Sequence, residues 1–525
     1  MTTMITGMGS KRQRAGKVRA QLALVLACLW LASCASVPFD YPREPTQSVP
    51  ASAETPLGEF YRNWQSDHGD KGGFVGMPSG VDALGMRLRM LELAEETIDA
   101  QYFILKTDRA GGLFVAGVIA AADRGVRVRL LVDDIFSPGV DEAFTLIASH
   151  PNIEVRLFNP LPRQAIRYLG YVTDFKRANR RMHNKSFTVD GAFSVVGGRN
   201  IGEEYFELNQ DTKFDDFEVL MIGSPVEEVQ QGFDLFWNSD LSVPMEAFGV
   251  KTDPAELDRW RVKIRELVEE QQDGLYAQAL NSRLLQALKT KERVPMIAEA
   301  HVYTDTPEKL AAEIGDADTA VLISEVSRRF RNAQSELLIV TPYFIPQHYG
   351  VDLMEELISR GVRVAVLTNS LASTNHVPVH AGYSRYRKEL LEMGVEFYEM
   401  RADAVHEDND WGHRPEKMTL HSKATVVDRE SIFVGSLNFD PRSVLINTEM
   451  GVFIESAEAG AAFTKNIKSE LSRSTWRVDL DEKGQLRWTY DYDGYREVVY
   501  KEPQSSWWQR FQVGVYRLLP IENQL

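Results

Sequence analysis

Apolar segments of strand length alternate with segments of helical length along two stretches of the chain, and both stretches keep the same order. Apolar strands separated by helices predict an α/β lobe with a largely buried sheet. Each half therefore runs helix, strand, helix, strand, followed by further elements. The matching strand segments are Thr97–Ile104 with Glu336–Ile345, Arg124–Val132 with Arg360–Leu367, and Ile153–Phe158 with Val395–Tyr398.

The offsets between matching segments indicate an internal repeat. They lie between 236 and 242 residues. A constant offset means that one structural unit occurs twice. The predicted fold class is therefore α/β, with two lobes related by a pseudo-twofold axis, each a mixed sheet flanked by helices.

One polar motif occurs once in each half. It has the pattern H-x-K-x-x-x-x-D, then six residues, then G-[GS]-x-N. A single match to its first part arises by chance in roughly one chain of this length in thirty, so two copies with the same tail indicate a duplicated site. The first cassette contains His183, Lys185, Asp190, Gly198 and Asn200, and the second contains His421, Lys423, Asp428, Ser436 and Asn438.

The cassettes also predict a local structure. Ser186–Val189 and Ala192–Val196 are β-formers around an Asp-Gly turn signal, which is typical of a hairpin. In a strand, residues two apart share one face, so His183 and Lys185 lie together while Asp190 faces the other way. We expect Asp190 and Asp428 to be structural partners behind the site.

Two imidazoles, two lysines and two asparagine amides converging from two lobes would suit one phosphodiester. One neutral imidazole can attack phosphorus while the other, protonated, gives its proton to the leaving alcohol. The cationic and amide groups of Lys185, Lys423, Asn200 and Asn438 would hold the non-bridging oxygens. This scheme requires no metal and no cofactor.

The cassettes and the repeat resemble the phospholipase D superfamily, and further segments resemble bacterial cardiolipin synthases of the C type. The resemblance covers roughly residues 58–525. It implies the phospholipase D fold and phosphatidyl transfer through a phosphohistidine on His183, with His421 as general acid and then base. It also implies phosphatidylglycerol as substrate and phosphatidylethanolamine as an alternative donor. The segments are Gly170–Asp174, Arg180–Asp190, Gly197–Gly202, Thr368–Leu371, His380–Tyr383, Asn438–Ser443 and Asn447–Met450.

The resemblance further implies an acidic residue after each cassette that bonds the catalytic histidine and sets its tautomer. Aligning the segment around Glu449 with residues 214–217 nominates Glu449 in one half and Asp216 in the other. The spacing from the histidine is 28 residues in the second half and 33 in the first. Asp215 and Asp211 therefore remain alternatives to Asp216, and solvated loop acids remain a further interpretation.

The N-terminus has the features of a signal peptide. Five Lys and Arg residues within residues 11–19 precede an apolar run, Gln21–Leu31, that is too short to span a bilayer. The residues ending at Cys34 look like a bacterial lipobox, which predicts lipidation of Cys34. The alternative is an uncleaved N-terminal anchor. Ala35 after the cysteine resembles sorted lipoproteins and favours a periplasm-facing outer-membrane location over the inner membrane.

The predicted organisation follows from these features. A Pro-, Ser- and Thr-rich stretch after Cys34 is typical of a flexible tether. Near the C-terminus, Ser505–Leu519 has aromatic and aliphatic residues at helical spacing with two arginines alongside, so it is either an interfacial helix or a helix packed on the core. The predicted parts are signal peptide 1–34, tether 35–57, first lobe 58–250, helical connector 251–300, second lobe 301–475 and C-terminal extension 476–525.

The formal net charge narrows the range of possible functions. The formal net charge is −16, and loss of residues 1–34 removes five positive charges and no negative one, leaving −21. A nucleic-acid-binding protein normally uses Lys and Arg to bind phosphates, so the acidic net charge disfavours a nuclease of the superfamily.

Other interpretations stay open. A hydrolytic phospholipase D differs only in using water as acceptor. A catalytically idle lipid-anchored scaffold would be favoured by loss of a His or Lys, and both cassettes are intact.

Overall fold

The structure is a computed structural model that describes residues 37–136, 139–163, 174–209, 211–270, 274–313, 319–404 and 416–525. The predicted signal peptide and Cys34 lie outside the described residues.

The first lobe is a mixed sheet flanked by helices, in the order β1-β8-β6-β5-β2-β3-β4-β9. The central β2, β3 and β4 are parallel, and the remaining pairings are antiparallel. The strands are β1 Gly72–Met77, β2 Thr97–Tyr102, β3 Arg127–Asp133, β4 Ile153–Phe158, β5 Ser186–Val189, β6 Phe193–Gly197, β7 Thr212–Asp215, β8 Glu218–Ile222 and β9 Ser242–Pro244. The helices are α1 Pro56–His68, α2 Gly80–Leu93, α3 Arg109–Asp123, α4 Asp141–Ala148, α5 Phe175–Ala178 and α6 Pro225–Trp237.

The second lobe repeats this sheet as β10-β17-β16-β15-β11-β12-β13-β18, and β19 and β20 extend it. Its strands are β10 Met296–Thr304, β11 Glu336–Val340, β12 Arg363–Asn369, β13 Glu396–Met400, β14 Lys417–Leu420, β15 Ala424–Val427, β16 Ser431–Gly435, β17 Met450–Glu455, β18 Thr475–Leu480, β19 Leu486–Tyr492 and β20 Tyr495–Val499. The helices that follow the connector are α10 Val321–Asn332, α11 Gln347–Ser359, α12 Val377–Met393, α13 Pro441–Leu445, α14 Ala457–Ser474 and α15 Trp507–Tyr516.

The predicted fold class is confirmed, because the two lobes match strand for strand. Each lobe has its own apolar core, and a third apolar cluster joins the lobes where β8 and β6 meet β16 and β17. The two sheets are continuous, since β1 pairs with β10 from Gly72 opposite Ala298 to Phe74 opposite Met296. The lobes therefore meet along an edge of each sheet, with the cassettes at that boundary.

The predicted connector, 251–300, forms helices that pack on the first lobe. They are α7 Pro254–Glu270, α8 Leu275–Leu280 and α9 Arg283–Lys289. Leu257, Ala279 and Leu284 are buried in the core of the first lobe. The strand β10 already begins at Met296, so the second sheet begins within the predicted connector.

Residues 35–57 were predicted to form a flexible tether, but from residue 37 onward the chain is ordered against the first lobe. It runs along the first lobe as extended chain, with the Ser48 amide donating to Asp234 at 2.8 Å. The indole of Trp237 donates to Thr46 Oγ1 at 2.9 Å, and Arg129 donates to the Thr46 carbonyl at 3.0 Å. The chain is ordered here because the folded lobe presents partners for its backbone polar groups, which composition alone does not reveal.

The C-terminal helix α15 packs on the second lobe with one face and exposes the other. Val513 packs on Leu371 and Ala381 of the second lobe. Trp507, Trp508 and Phe511 on the other face are more than half exposed. Across the residues that the structure describes, no helix is both long and apolar enough to cross a bilayer.

Candidate active site

Both cassette histidines are attached to the opposite lobe by their backbones. The His183 amide donates to the Thr448 carbonyl at 3.0 Å. The His421 amide donates to the Asp215 carbonyl at 2.7 Å. Each histidine is therefore bonded through its backbone to the lobe that does not contain it. These bonds bring the two cassettes together in one buried site within a single chain.

The carboxylates that orient the histidines are exchanged between the lobes. His183 Nδ1 lies 2.9 Å from Glu449 Oε2, and His421 Nδ1 lies 2.5 Å from Asp216 Oδ2. The alignment of each carboxylate with the cassette of its own half is therefore wrong as a pairing, although both nominated residues lie at the site. A carboxylate on Nδ1 favours the tautomer with the proton there, which leaves Nε2 as the reactive nitrogen.

The exchange follows from short pairings across the lobe boundary. The strands β7 and β14 run parallel, with Asp215 opposite Leu420. Met182 forms an equivalent isolated bridge with Thr448. Asp216 and Glu449 directly follow these paired residues in the chain, so the pairing that fixes each histidine also delivers its carboxylate.

The alternatives to Asp216 have backbone roles. Asp215 contributes its main-chain oxygen to the amides of His421 and Ser422. The carbonyl of Asp211 accepts from the Lys417 amide at the start of β14. Among these three acids, the carboxylate that contacts His421 is that of Asp216.

The variable position of the motif tail has a physical explanation. Gly198 lies so close to Asp216 that an added Cβ would be 2.3 Å from Oδ1. In the second half Ser436 takes this position and donates its hydroxyl to Glu449. The motif G-[GS] by itself gives no signal that Ser436 is a hydrogen-bond partner of Glu449. The two histidine–carboxylate pairs are therefore chemically different.

Both cassette lysines are buried beside the histidines. Lys185 Nζ donates to the His183 carbonyl at 2.5 Å. Lys423 Nζ donates to the His421 carbonyl and lies 3.3 Å from His421 Nε2. The two cations are therefore placed to compensate an anion at the imidazoles.

The motif asparagines are buried and hold the loops of the site. Asn200 Oδ1 accepts from the Ile104 amide at 3.1 Å, and its Nδ2 donates to the Tyr205 hydroxyl at 3.0 Å. One N–H of Asn200 then remains for a ligand, since an amide nitrogen carries two. The Oδ1 of Asn438 is buried and has no hydrogen-bond partner among the described residues.

Burial and neighbouring lysines dominate the electrostatics of the imidazoles. Burial, reinforced by Lys185 and Lys423, holds the pKa of His183 well below its usual value. Burial and Lys423 lower the pKa of His421 to about 3, against the opposing effect of Asp216. Burial also lowers the pKa of Lys185 to about 7 and that of Lys423 to about 8. A bound anion would raise all four values, so the site is suited to an anionic ligand.

The pKa values of the two carboxylates move in opposite directions, although burial alone would raise both. Burial raises the pKa of Glu449 to about 7, with Lys185 opposing the rise. Burial also disfavours ionised Asp216, but His421 and Lys423 outweigh it and lower the Asp216 pKa. Asp216 therefore carries its negative charge more firmly than Glu449.

Aromatic rings that the sequence analysis missed surround the imidazoles. Phe103 meets His183 edge to face, with ring centroids 4.8 Å apart. Phe214 stacks on His421 at 5.1 Å, and Tyr205 meets that ring at 5.3 Å. Phe103 lies in the repeated strand segment, which was an available signal. These rings exclude water from the histidines.

Asp190 and Asp428 lie at the opposite ends of β5 and β15 from the histidines. Asp190 accepts from the amides of Glu95, Glu96 and Thr97. Asp428 accepts in the same way from the amides of residues 334–336. Both carboxylates tie the cassette hairpin to the start of the neighbouring strand.

Replacing Asp190 by Ala should destabilise the protein by about 2–4 kcal/mol, because amides that it bonds would lose their acceptor. Chemical denaturation followed by circular dichroism measures this change. Turnover per folded molecule should stay near the wild-type value. A variant of normal stability and low turnover would instead give Asp190 a catalytic role.

Clustered metal ligands are absent from the described ranges. These ranges contain no group of three or more His, Cys, Asp or Glu side chains that could hold a metal ion.

Comparisons with known proteins agree with this architecture. Residues 88–231 and 326–471 match the family model described as "Cardiolipin synthase, PLD-like domain", one match in each lobe. The chain is similar to cardiolipin synthase C of Escherichia coli K12, with 37% identity over 87% of this chain and 97% of that protein. It is also similar to an uncharacterized protein of Helicobacter pylori, with 30% identity over 83% of this chain and 87% of that one.

A solved structure extends the comparison to the fold. Phosphatidylserine synthase of Haemophilus influenzae matches with a TM-score of 0.55 and 12% identity, over 89% of this chain and 100% of that one. The matched family domains cover both cassettes and more than half of the sequence. The chain therefore belongs to the phospholipase D-like family of cardiolipin synthases.

Proposed function

We propose that this protein is a phosphatidyltransferase that makes cardiolipin from phosphatidylglycerol through a phosphohistidine. One observation carries the proposal: two buried imidazoles, each held at Nδ1 by a carboxylate of the other lobe, share a site with two lysines. The family membership supports the same substrate class, because the similar Escherichia coli protein is named cardiolipin synthase C.

The reaction has two displacements at phosphorus. In the first, Nε2 of His183 bonds to the phosphorus of phosphatidylglycerol, the bond to the headgroup oxygen breaks, and His421 gives its proton to the departing glycerol. In the second, a hydroxyl of another phosphatidylglycerol gives its proton to His421 and attacks phosphorus, which breaks the bond to His183. The products are cardiolipin and glycerol, and both histidines return to their initial states.

The unequal carboxylates support this division of roles. Ionised Asp216 favours protonation of His421, and a bound phosphate anion would raise the His421 pKa from about 3 toward the range that a general acid requires. Glu449 has a raised pKa, so it provides less negative charge to protonate His183. A neutral His183 retains the lone pair on Nε2 that a nucleophile needs.

The cations of the site serve the transferred phosphate. Lys185 and Lys423 are buried, so their attraction to an anion is little screened by water. In the proposed reaction they hold the non-bridging oxygens together with one N–H of Asn200 and the amide of Asn438. Phosphatidylethanolamine presents the same phosphodiester, so these residues would also accept it as a donor.

Purified protein incubated with labelled phosphatidylglycerol should release cardiolipin and glycerol, with and without phosphatidylethanolamine. A chelator should leave the rate unchanged, because lysines and an imidazolium compensate the phosphate charge. Mass spectrometry of the lipid products is the measurement. Phosphatidic acid as the main product would instead make the protein a hydrolytic phospholipase D, and absence of any turnover would favour a scaffold. Loss of activity with chelator, restored by metal, would contradict the metal-free scheme.

We further propose that the mature chain is anchored at the periplasmic side of a membrane through acylated Cys34, in the outer membrane rather than the inner. The lipobox-like residues before Cys34 and Ala35 after it support this location. A chain with Cys34 replaced by Ser should lose incorporation of labelled palmitate. Membrane fractionation of the wild type distinguishes the outer from the inner membrane.

The exposed face of α15 supports a second contact with the bilayer. Trp507, Trp508 and Phe511 are 69%, 51% and 53% exposed. Tryptophan is enriched at membrane interfaces, where its apolar ring and its N–H are both accommodated. The residues that follow the helix approach the site, since Gln524 accepts from Asn179 at 2.6 Å and Leu525 accepts at 2.8 Å from the amide of Arg442, whose charge adds to burial in lowering the pKa of His183. This connection supports a membrane-facing entrance to the site.

A polarity-sensitive dye on Phe511→Cys should shift its emission to the blue when phosphatidylglycerol vesicles are added, because the side chain leaves water. Leu235→Cys on α6 is a matched control, since Leu235 is 52% exposed on the first lobe and Phe511 is 53% exposed. Both variants are made in the full chain with Cys28 and Cys34 changed to Ser, so that each carries one thiol. Equal responses at the two positions would contradict docking through α15.

A further inference from the structure

The packing between the lobes departs from their twofold symmetry beside α14. In the first lobe α6, which follows β8, packs on β10 of the second lobe so closely that a Cβ on Gly232 would lie 2.8 Å from Thr304. By symmetry α14, which follows β17, should pack in the same way on β1. Instead a groove of about 1040 Å³ separates α14 from β1, and we call it the interlobe groove.

Side-chain size explains why the groove is open. The face of α6 that meets β10 carries Val226 and Val229, which are buried in the apolar cluster that joins the lobes, and Gly232, which allows the close approach. The corresponding stretch of α14 presents smaller groups to the groove, among them Ala459 and Ala462. The space between helix and strand is therefore filled beside α6 and open beside α14.

The walls of the groove are mainly apolar, and four of its seven charged residues form ion pairs. Its floor is formed by strand residues of both lobes, including Phe74, Val434 and Ile454. Val294 and Ile297 line it while 68% and 46% exposed. The charged groups of the lining include two ion pairs, Lys213 with Glu207 and Arg473 with Glu470. Ligand recognition along the groove is consequently apolar. Close packing leaves few such spaces unfilled in protein interiors.

The groove lies behind the catalytic strand. Ser422 and Ala424 line it, whereas Lys423 between them belongs to the active site on the opposite face. Asp215, whose carbonyl holds the His421 amide, also lines the groove. A ligand in the groove would therefore touch the residues that fix the position of His421.

We propose that the interlobe groove binds one acyl chain of a phospholipid, an inference that rests on the proposed function for its substrate class. The part of α14 that lines it, from Ala459 to Arg473, is ~21 Å long at ~1.5 Å per residue. One leaflet contributes half of a hydrocarbon core of ~30 Å, so a single acyl chain fits this length. Because the groove and the active site lie on opposite faces of the catalytic strand, the chain belongs to a phospholipid other than the one that reacts; it supports Ser422 and Asp215 from behind and makes turnover depend on long acyl chains.

The first measurement is photocrosslinking with a phosphatidylglycerol that carries a diazirine within one acyl chain. In the wild type we expect crosslinks on the α14 peptide that contains Ala459 and Phe463. Ala462→Trp places a large side chain in the groove and should reduce these crosslinks at least tenfold. Ala461→Trp is the matched control, because Ala461 is the neighbouring exposed alanine and is not part of the groove lining. Equal crosslinking in the two variants, or crosslinks elsewhere only, would overturn the proposal.

The second measurement is turnover as a function of acyl length. Ala462→Trp should lower kcat/KM for long-chain phosphatidylglycerol about tenfold or more and leave the value for a short-chain, monomeric analogue unchanged. Ala461→Trp should retain the wild-type ratio. If Ala462→Trp lowers both values equally, it disturbs the enzyme without removing a chain-binding site. If the wild type does not transfer phosphatidyl groups at all, the proposed function fails, while crosslinking still decides whether the groove holds a chain.

Discussion

Alanine in place of His183 or His421 should lower turnover of phosphatidylglycerol by a factor of about 100 to 10,000, because each variant loses a group that acts directly on the reacting bonds. The two losses should differ in kind. Without His421 the leaving glycerol has no proton donor, but His183 can still accept a phosphoryl group slowly. The phosphohistidine should therefore accumulate on His183 in the His421→Ala variant, where peptide mapping under alkaline conditions would detect it.

The reciprocal variant is the control for this order. His183→Ala should yield no phosphoenzyme, since His421 is oriented by ionised Asp216 toward proton transfer. A phosphoenzyme on His421 in that variant would reverse the assignment of nucleophile and acid. Thermal unfolding of both variants should match the wild type, which separates a chemical defect from a folding defect.

The exchange of carboxylates predicts defects that cross the lobe boundary. Glu449→Gln, in the second lobe, should perturb His183 of the first, and Asp216→Asn should perturb His421. Each change keeps the size of the side chain but removes the charge that holds Nδ1–H, and we expect turnover to fall about 10- to 1,000-fold.

Proton NMR of the wild type and the two variants measures the exchange directly. The wild type should show downfield Nδ1–H resonances for His183 and His421, because both protons lie between a ring nitrogen and a carboxylate. Glu449→Gln should shift only the His183 resonance and Asp216→Asn only that of His421, with assignments from the histidine variants. Loss of the His421 resonance in Glu449→Gln would mean that each lobe orients its own histidine, contrary to the structure.

Much of the architecture could be predicted from the sequence because its signals are local. The alternation of apolar segments specified the strands, and the matching segments of the two halves specified the repeat. The hairpin after His183 was predicted from an Asp-Gly turn between β-formers, and both turn residues adopt positive φ, 49° at Asp190 and 60° at Gly191. The positions of the histidines and lysines followed from the same motifs.

The domain boundaries and the ordered state of the tether could not be predicted from the sequence in the same way. The backbone of residues 46–48 is ordered by Arg129, Asp234 and Trp237 of the first lobe, which lie far from it in the sequence. A Pro- and Ser-rich composition is compatible with either a solvated or a packed extended chain. Only the presence of folded partners distinguishes the two states.

The sequence by itself therefore determined the two lobes and the duplicated cassettes, while the family resemblance nominated Glu449 and Asp216, the latter with Asp215 and Asp211 as alternatives. The tertiary structure alone decided which histidine each carboxylate serves, because the partners are 266 and 205 residues apart and meet through strand pairing across the lobe boundary. It also decided the asymmetry between Gly198 and Ser436 and the opening between α14 and β1. These features depend on the space between distant side chains, and neither motif spacing nor periodicity carries that information.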